Sequence, residues 1–149
     1  MIRGSCLCGR VRFEVDRLTG PFELCHCSRC RKVTGSAFAA TVGAMAEDFR
    51  WLCGAESIGR CELPVRERPP SYALSFCTGC GSALPSPPEC GFFEIPAGLL
   101  DDDPGLRPDK HIYVEFGAPW WTVDDGLPCF TKAQIAEHRA RAAELHRDA

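Results

Sequence analysis

No stretch of this 149-residue chain is long and apolar enough to cross a membrane as a helix. The longest apolar-leaning run, SAFAATVGAMA at 36–46, falls well short of the about twenty apolar residues a spanning helix needs. The opening MIRGSCLCGRVRF lacks an apolar core behind a basic end, which argues against a secretory leader and makes the cytoplasm the expected compartment. Basic charge is not in excess either: 17 Lys and Arg against 20 Asp and Glu leave a net charge of −3, and nothing in that balance favours nucleic acid. Internal repeats and low-complexity segments are also missing. The length suits a single domain able to bury a core of its own.

What the chain has in abundance is cysteine. Eleven of them exceed ordinary usage, and the odd count and close C-x-C and C-x-x-C spacings fit thiolate metal sites better than disulfides. Twelve prolines and fourteen glycines cut the sequence into short pieces, as in ERPPS, PSPPE and DDDPGLRPD. Several of these pieces read as strands. RVRFEVD at 10–16 alternates strictly, with Val11, Phe13 and Val15 on the buried face. HIYVEF at 111–116 alternates likewise, with Ile112, Val114 and Phe116 inward, and SYALSF at 71–76 is a third candidate. FRWLCG at 49–54 and CGFFEIP at 90–96 are shorter ones. The body is therefore expected to be all-β, over residues 1–130. Thr131 and Gln134 form a capping-box pattern that opens TKAQIAEHRARAAELHR, and the tail, 131–149, is expected to carry one amphipathic helix over 132–146.

The cysteines fall into groups. Cys6 and Cys8 are two apart, so in extended backbone both sulfurs share a face. Cys77 and Cys80 have zinc-knuckle spacing, with Gly79 and Gly81 easing the turn. Together they supply a closed site of four thiolates, clamping a loop of about seventy residues, which suits a structural zinc. The bland alternative is four buried, reduced cysteines.

In CHCSRC, Cys25, Cys27 and Cys30 converge only if the chain turns sharply, into a short helix through CSRCRKVTG. Three protein ligands with one exchangeable position is the arrangement of a catalytic zinc. His26 is a poor fourth ligand, because in an extended C-H-C its ring points away from the flanking sulfurs. A zinc ribbon of Cys27, Cys30, Cys77 and Cys80 is an alternative partition that spacing leaves open. Cys53 and Cys61 are expected to be buried and unligated, Cys90 and Cys129 to lie in loops nearer solvent.

GSCLCGRVRFEV, CHCSRCRKVTGSAF, FCTGCGSALP, IPAGLLDD and HIYVEFGAPWWTVDDGLPCF, in this order, resemble the glutathione-dependent formaldehyde-activating enzyme family, related to the centromere protein V domain. The likeness covers about residues 3–130. It implies a zinc-built, mainly β fold of the kind shared with methionine sulfoxide reductase B. It also implies a structural zinc on Cys6, Cys8, Cys77 and Cys80, a catalytic zinc on Cys25, Cys27 and Cys30, and hence two zinc ions per chain. The activity it implies is condensation of formaldehyde with glutathione to S-(hydroxymethyl)glutathione, a carbon–sulfur lyase reaction run in reverse. The sequence departs from the family pattern at Gly117 and Cys129, neither of them a ligand.

A thiolate-rich zinc is soft and suits a thiol better than a carbonyl oxygen, so a substrate sulfur is the expected occupant of the open position. Arg29, Arg31 and Lys32 flank it and can clamp the carboxylates of glutathione, or simply offset thiolate charge. Trp120 and Trp121 can wall a pocket or pack the core; as strand neighbours, one would face in and the other out. His111 and Asp125 are candidate proton carriers, set against the plainer reading of a structural histidine. Two other classes compete with the synthase. One is a zinc-stabilised binding module or glutathione carrier without chemistry. The other is a methionine sulfoxide reductase, for which Cys129 would be the nucleophile.

Overall fold

The structure is a computed structural model, and it describes residues 1–63, 72–86 and 91–147. It is mainly β, with two α-helices, one of them C-terminal. The chain packs into two compact units: Met1–Pro21 with Thr41–Arg107, and Phe22–Ala40 with Pro108–Ala149.

In the first unit, β1 (Ile2–Ser5), β2 (Arg12–Val15) and β5 (Phe49–Cys53) form an antiparallel sheet in the order β1-β2-β5. The alternation of RVRFEVD has the expected effect: Val11, Phe13 and Val15 are wholly buried, while Arg12 is exposed. Phe13 stacks on Phe49 at 5.3 Å, and Phe49 stacks on Phe93 at 4.2 Å. Trp51 meets both Phe13 and Phe49 edge-on. Gly4, opposite Phe13 on β1, is required by this packing, because a Cβ there would sit within the Phe13 ring.

The same unit holds β6 (Ile58–Leu63), β7 (Tyr72–Cys77) and β8 (Ala83–Leu84), again antiparallel. A further antiparallel pair is β9 (Phe92–Pro96) against Thr41–Met45 of β4 (Ala39–Met45). Cys53 and Cys61 are exposed, contrary to expectation. Both lie on strands at the margin of their three-stranded sheets, β5 and β6. Cys90 lies outside the described residues.

The second unit is built on parallel strands. β10 (Lys110–Ile112) pairs with β3 (Phe22–Cys25) on one side and β11 (Cys129–Phe130) on the other. Parallel pairing with cover on both faces explains why all four residues of β3 are buried. The strand expected over 111–116 ends at Ile112. Tyr113 takes a left-handed conformation (φ 58°, ψ 39°) and the chain turns into a 3-10 helix at Val114–Phe116, so the alternation is lost: Val114 is half-buried and Phe116 is 41% exposed.

Helix α1 (Ser28–Thr34) follows β3 and stops at Gly35 in the left-handed conformation (φ 62°). Helix α2 (Lys132–Arg147) starts with the expected reciprocal cap: Thr131 N–H donates to Gln134 Oε1 at 2.8 Å, and Gln134 N–H to Thr131 Oγ1 at 3.4 Å. Its expected amphipathicity is not borne out. Among its residues with described side chains only Ile135 is buried, packed with Cys25 and Ile112, and the other positions are exposed.

Candidate functional site

In the first unit, backbone turns bring four sulfurs together. At the first turn Gly9, with φ 69°, donates to the Cys6 carbonyl at 2.8 Å, and the Val11 N–H reaches Cys6 Sγ at 3.3 Å. At the second, Gly81, with φ 77°, donates to the Cys77 carbonyl at 2.8 Å, and Ser82 Oγ lies 3.3 Å from Cys80 Sγ. The Sγ atoms of Cys6, Cys8, Cys77 and Cys80 all lie within 4.8 Å of one another. Cys6–Cys8 is 3.5 Å and Cys8–Cys77 is 3.8 Å. A tetrahedron with zinc–sulfur bonds of about 2.3 Å has sulfur–sulfur edges of about 3.8 Å, so the group fits such an ion. Cys6 and Cys77 are buried with Val11 and Leu84, which gives the group an apolar backing.

Crowding splits the protons between Cys8 and Cys80. Cys80 is drawn down to about 6, chiefly by the Ser82 hydroxyl. Cys8 is drawn down by the Arg10 N–H but pushed up more by Cys6 and its other sulfur neighbours, to about 11. A divalent cation would let all four ionise together.

The second unit carries the other group. Cys25 closes β3, Cys27 is the N-cap of α1, and Cys30 lies in its first turn, with the Cys30 N–H donating to Cys27 Sγ at 3.4 Å. The three sulfurs lie within 4.8 Å of one another, so Cys27 and Cys30 gather with Cys25 and not with the Cys77–Cys80 turn. Among the described residues no fourth Cys, His, Asp or Glu joins them. Crowding again splits the protons. The Cys25 and Cys30 thiols hold Cys27 far below the ordinary thiol range, while the same contacts and burial push Cys25 far above it. This soft, three-sulfur donor set also fits zinc.

Next to this group lies a polar chain with two buried imidazoles. His26 turns its ring inward, 1% exposed, and its Nε2 is 2.8 Å from Nδ1 of His111, itself 2% exposed. His111 Nε2 lies 2.9 and 3.1 Å from the two carboxylate oxygens of Asp125. Phe38 packs on both imidazoles, at 5.4 Å from His26 and 6.3 Å from His111. Burial first, then the positive character of His111 and Arg31, hold His26 below its ordinary value. The Leu127 N–H and then His111 hold Asp125 below the usual carboxylate range.

The positive residues on α1 divide by position. Arg29 and Lys32 are exposed, and Arg31 is half-buried. The tryptophans do not occupy a strand: Trp120 sits in a turn and Trp121 follows it, with its N–H bonded to the Ala118 carbonyl. Neither faces inward, at 69% and 47% exposed, because no ladder fixes alternate faces there. Trp121 does reach the Phe38 ring, at 6.0 Å. Two features escaped the sequence reading. The His26–His111 bond depends on the parallel register of β3 and β10, which no local pattern encodes, and Phe38 was visible only as part of an apolar run.

A profile described as glutathione-dependent formaldehyde-activating enzyme matches residues 1–116. A Halomonas elongata protein named "Putative glutathione-dependent formaldehyde-activating enzyme" is 33% identical over 154 residues, spanning 95% of this chain and 96% of its own. A crystal structure of a Rhodobacter sphaeroides protein matches with a TM-score of 0.54 at 23% identity, over 87% of this chain and 99% of the other, a likeness of fold alone.

Proposed function

Since the chain belongs to the glutathione-dependent formaldehyde-activating enzyme family, we propose that it joins formaldehyde or a similar aldehyde to the sulfur of glutathione or another thiol. The product is an S-(hydroxymethyl) adduct, and the reverse reaction is that of a carbon–sulfur lyase. The observation that carries this reading is the incomplete sulfur group of Cys25, Cys27 and Cys30, beside a complete group of four elsewhere in the chain.

In this reading Cys6, Cys8, Cys77 and Cys80 hold a structural zinc, and Cys25, Cys27 and Cys30 hold a second one. The second zinc, when bound, supplies a soft Lewis-acidic centre that favours the thiolate form of a thiol at neutral pH. The three cysteines leave one position of a four-coordinate ion for that thiol. Arg29, Arg31 and Lys32 add positive charge to α1, the helix that also carries Cys30, and this charge suits a thiol bearing two carboxylates. The overall reaction adds S–H across C=O. The sulfur lone pair makes the new C–S bond, the C=O π pair moves to oxygen, and the thiol proton ends on that oxygen.

Aldehydes and thiols combine unaided, so the test is exchange NMR of formaldehyde with glutathione, measured against the background rate. Acceleration by the zinc-loaded protein, lost in Cys27→Ala, supports the proposal. A zinc-loaded protein that binds glutathione without accelerating exchange would be a carrier, and the synthase reading would be rejected.

A further inference from the structure

His26 is held at two points by one strand. Its backbone N–H donates to the Ile112 carbonyl at 3.0 Å, and its ring Nε2 meets His111 Nδ1 at 2.8 Å, both partners lying on β10. It is also the residue between Cys25 and Cys27. In extended backbone neighbouring side chains point to opposite sides, so anchoring the His26 ring on one face sets the sulfurs on either side of it on the other. From the spacing alone, His26 competed for the fourth ligand position. In the fold its ring is committed elsewhere and lies outside the sulfur group.

The commitment runs on to Asp125. A carboxylate accepts, so Asp125 fixes a proton on Nε2 of His111. In the neutral pair, His111 Nδ1 is then a bare acceptor, and the proton in the 2.8 Å contact belongs to His26 Nε2. One end of the chain is exposed, with the Asp125 side chain at 44%, and the other is closed. Phe38, packed on both rings, keeps water from competing for the two nitrogens.

We infer that Asp125 and His111 are positioning residues for the three-sulfur site, acting through His26: the chain Asp125–His111–His26 fixes the His26 ring in one tautomer, outside the ligand shell, and so sets Cys25 and Cys27 for metal binding while keeping the fourth position free. This rests on the proposed metal site, but not on the proposed reaction. Residues that orient ligands from one step away typically change metal affinity by about 10- to 100-fold when removed.

The test uses zinc-loaded protein without aldehyde or thiol. Long-range 1H–15N NMR of the wild type is expected to show both imidazoles protonated on Nε2; a proton on Nδ1 of either ring in the neutral pair overturns the inference and needs no variant. Asp125→Ala removes the acceptor, and is expected to mix the His26 tautomers and speed zinc release to a chelator by about 10-fold, in the phase that Cys27→Ala abolishes. Asp125→Glu keeps an acceptor-only carboxylate and is expected to restore both the tautomer and the slow release, whereas Asp125→Asn, whose amide can also donate, is not. Loss of the Leu127 N–H bond to Asp125 alone would change release without moving the His26 tautomer, so the tautomer separates the two. Release from Asp125→Ala at the wild-type rate, or failure of Asp125→Glu to rescue, overturns the inference. A protein with these tautomers that fails to accelerate formaldehyde exchange rejects the reaction and leaves the positioning role intact. One that takes up no metal on Cys25, Cys27 and Cys30 overturns both.

Discussion

Arg139 of α2 donates to the carboxylate of Glu23 on β3 at 2.6 Å, and Glu23 is buried. Lys110 stands 3.7 Å from the other carboxylate oxygen. A buried carboxylate is costly without cationic or hydrogen-bonding partners, so this pair gives an otherwise exposed helix a reason to stay docked. Arg139→Ala is therefore expected to destabilise the zinc-loaded protein by about 1 kcal/mol, well under the value for a fully buried pair, because Arg139 is half-exposed and Lys110 remains. Urea unfolding checks this, and an unchanged midpoint would show that the Arg139–Glu23 pair does not hold α2 in place.

The capping box gives a second, separable test of the same helix. Thr131→Ala removes the hydroxyl that accepts from Gln134 N–H, and is expected to cost about 1 kcal/mol of helix stability. Amide exchange at the first turn of α2 should accelerate, while Thr131→Ser should remain close to the wild type. Equal exchange in all three proteins would mean that packing, not the cap, fixes where α2 begins.

Gly4 ties sequence to core more directly. A Cβ at this position would overlap the Phe13 ring, which is already stacked on Phe49. Gly4→Ala should force the aromatic cluster to shift, at a cost of about 1–3 kcal/mol. Thermal unfolding would show it, with Phe13→Leu in the same background expected to recover part of the loss.

These contacts also separate what was legible in the sequence from what was not. The alternation of RVRFEVD and the Thr131–Gln134 pattern are local signals set by pleat and helix geometry, and both are found where they were read. HIYVEF alternates equally well but stops at Ile112, because Tyr113 leaves the extended region and the strand's partners β3 and β11 are short. Cys53 and Cys61 look like core residues by type, yet their place at sheet margins exposes them, and margin or centre is a property of strand order. The sulfur groups gather residues with chelating spacing, so each half of a group was visible locally. Joining Cys6 and Cys8 to Cys77 and Cys80 was one of two partitions that the spacing allowed, and the fold selects it. The His26–His111–Asp125 chain lies wholly in the second category: its members are 85 and 14 residues apart, and only parallel pairing of β3 and β10 brings the imidazoles together.

The two sulfur groups should respond differently to loss of one cysteine. Cys6 and Cys77 are buried with Val11 and Leu84, so an uncompensated gap there removes core packing as well as a ligand. Cys27 is half-buried at the start of a two-turn helix, where Ala removes mainly a sulfur. Wild-type protein is expected to carry two zinc ions per chain by elemental analysis. Cys27→Ala should keep one zinc and a native unfolding transition; Cys77→Ala should also lose one, but with a Tm drop of many degrees. Each kcal/mol shifts Tm by about 2–8 °C for domains of about this size. Unfolding or total zinc loss in Cys27→Ala would show that the three-sulfur group carries the fold, and would remove the grounds for treating its open position as the place of reaction.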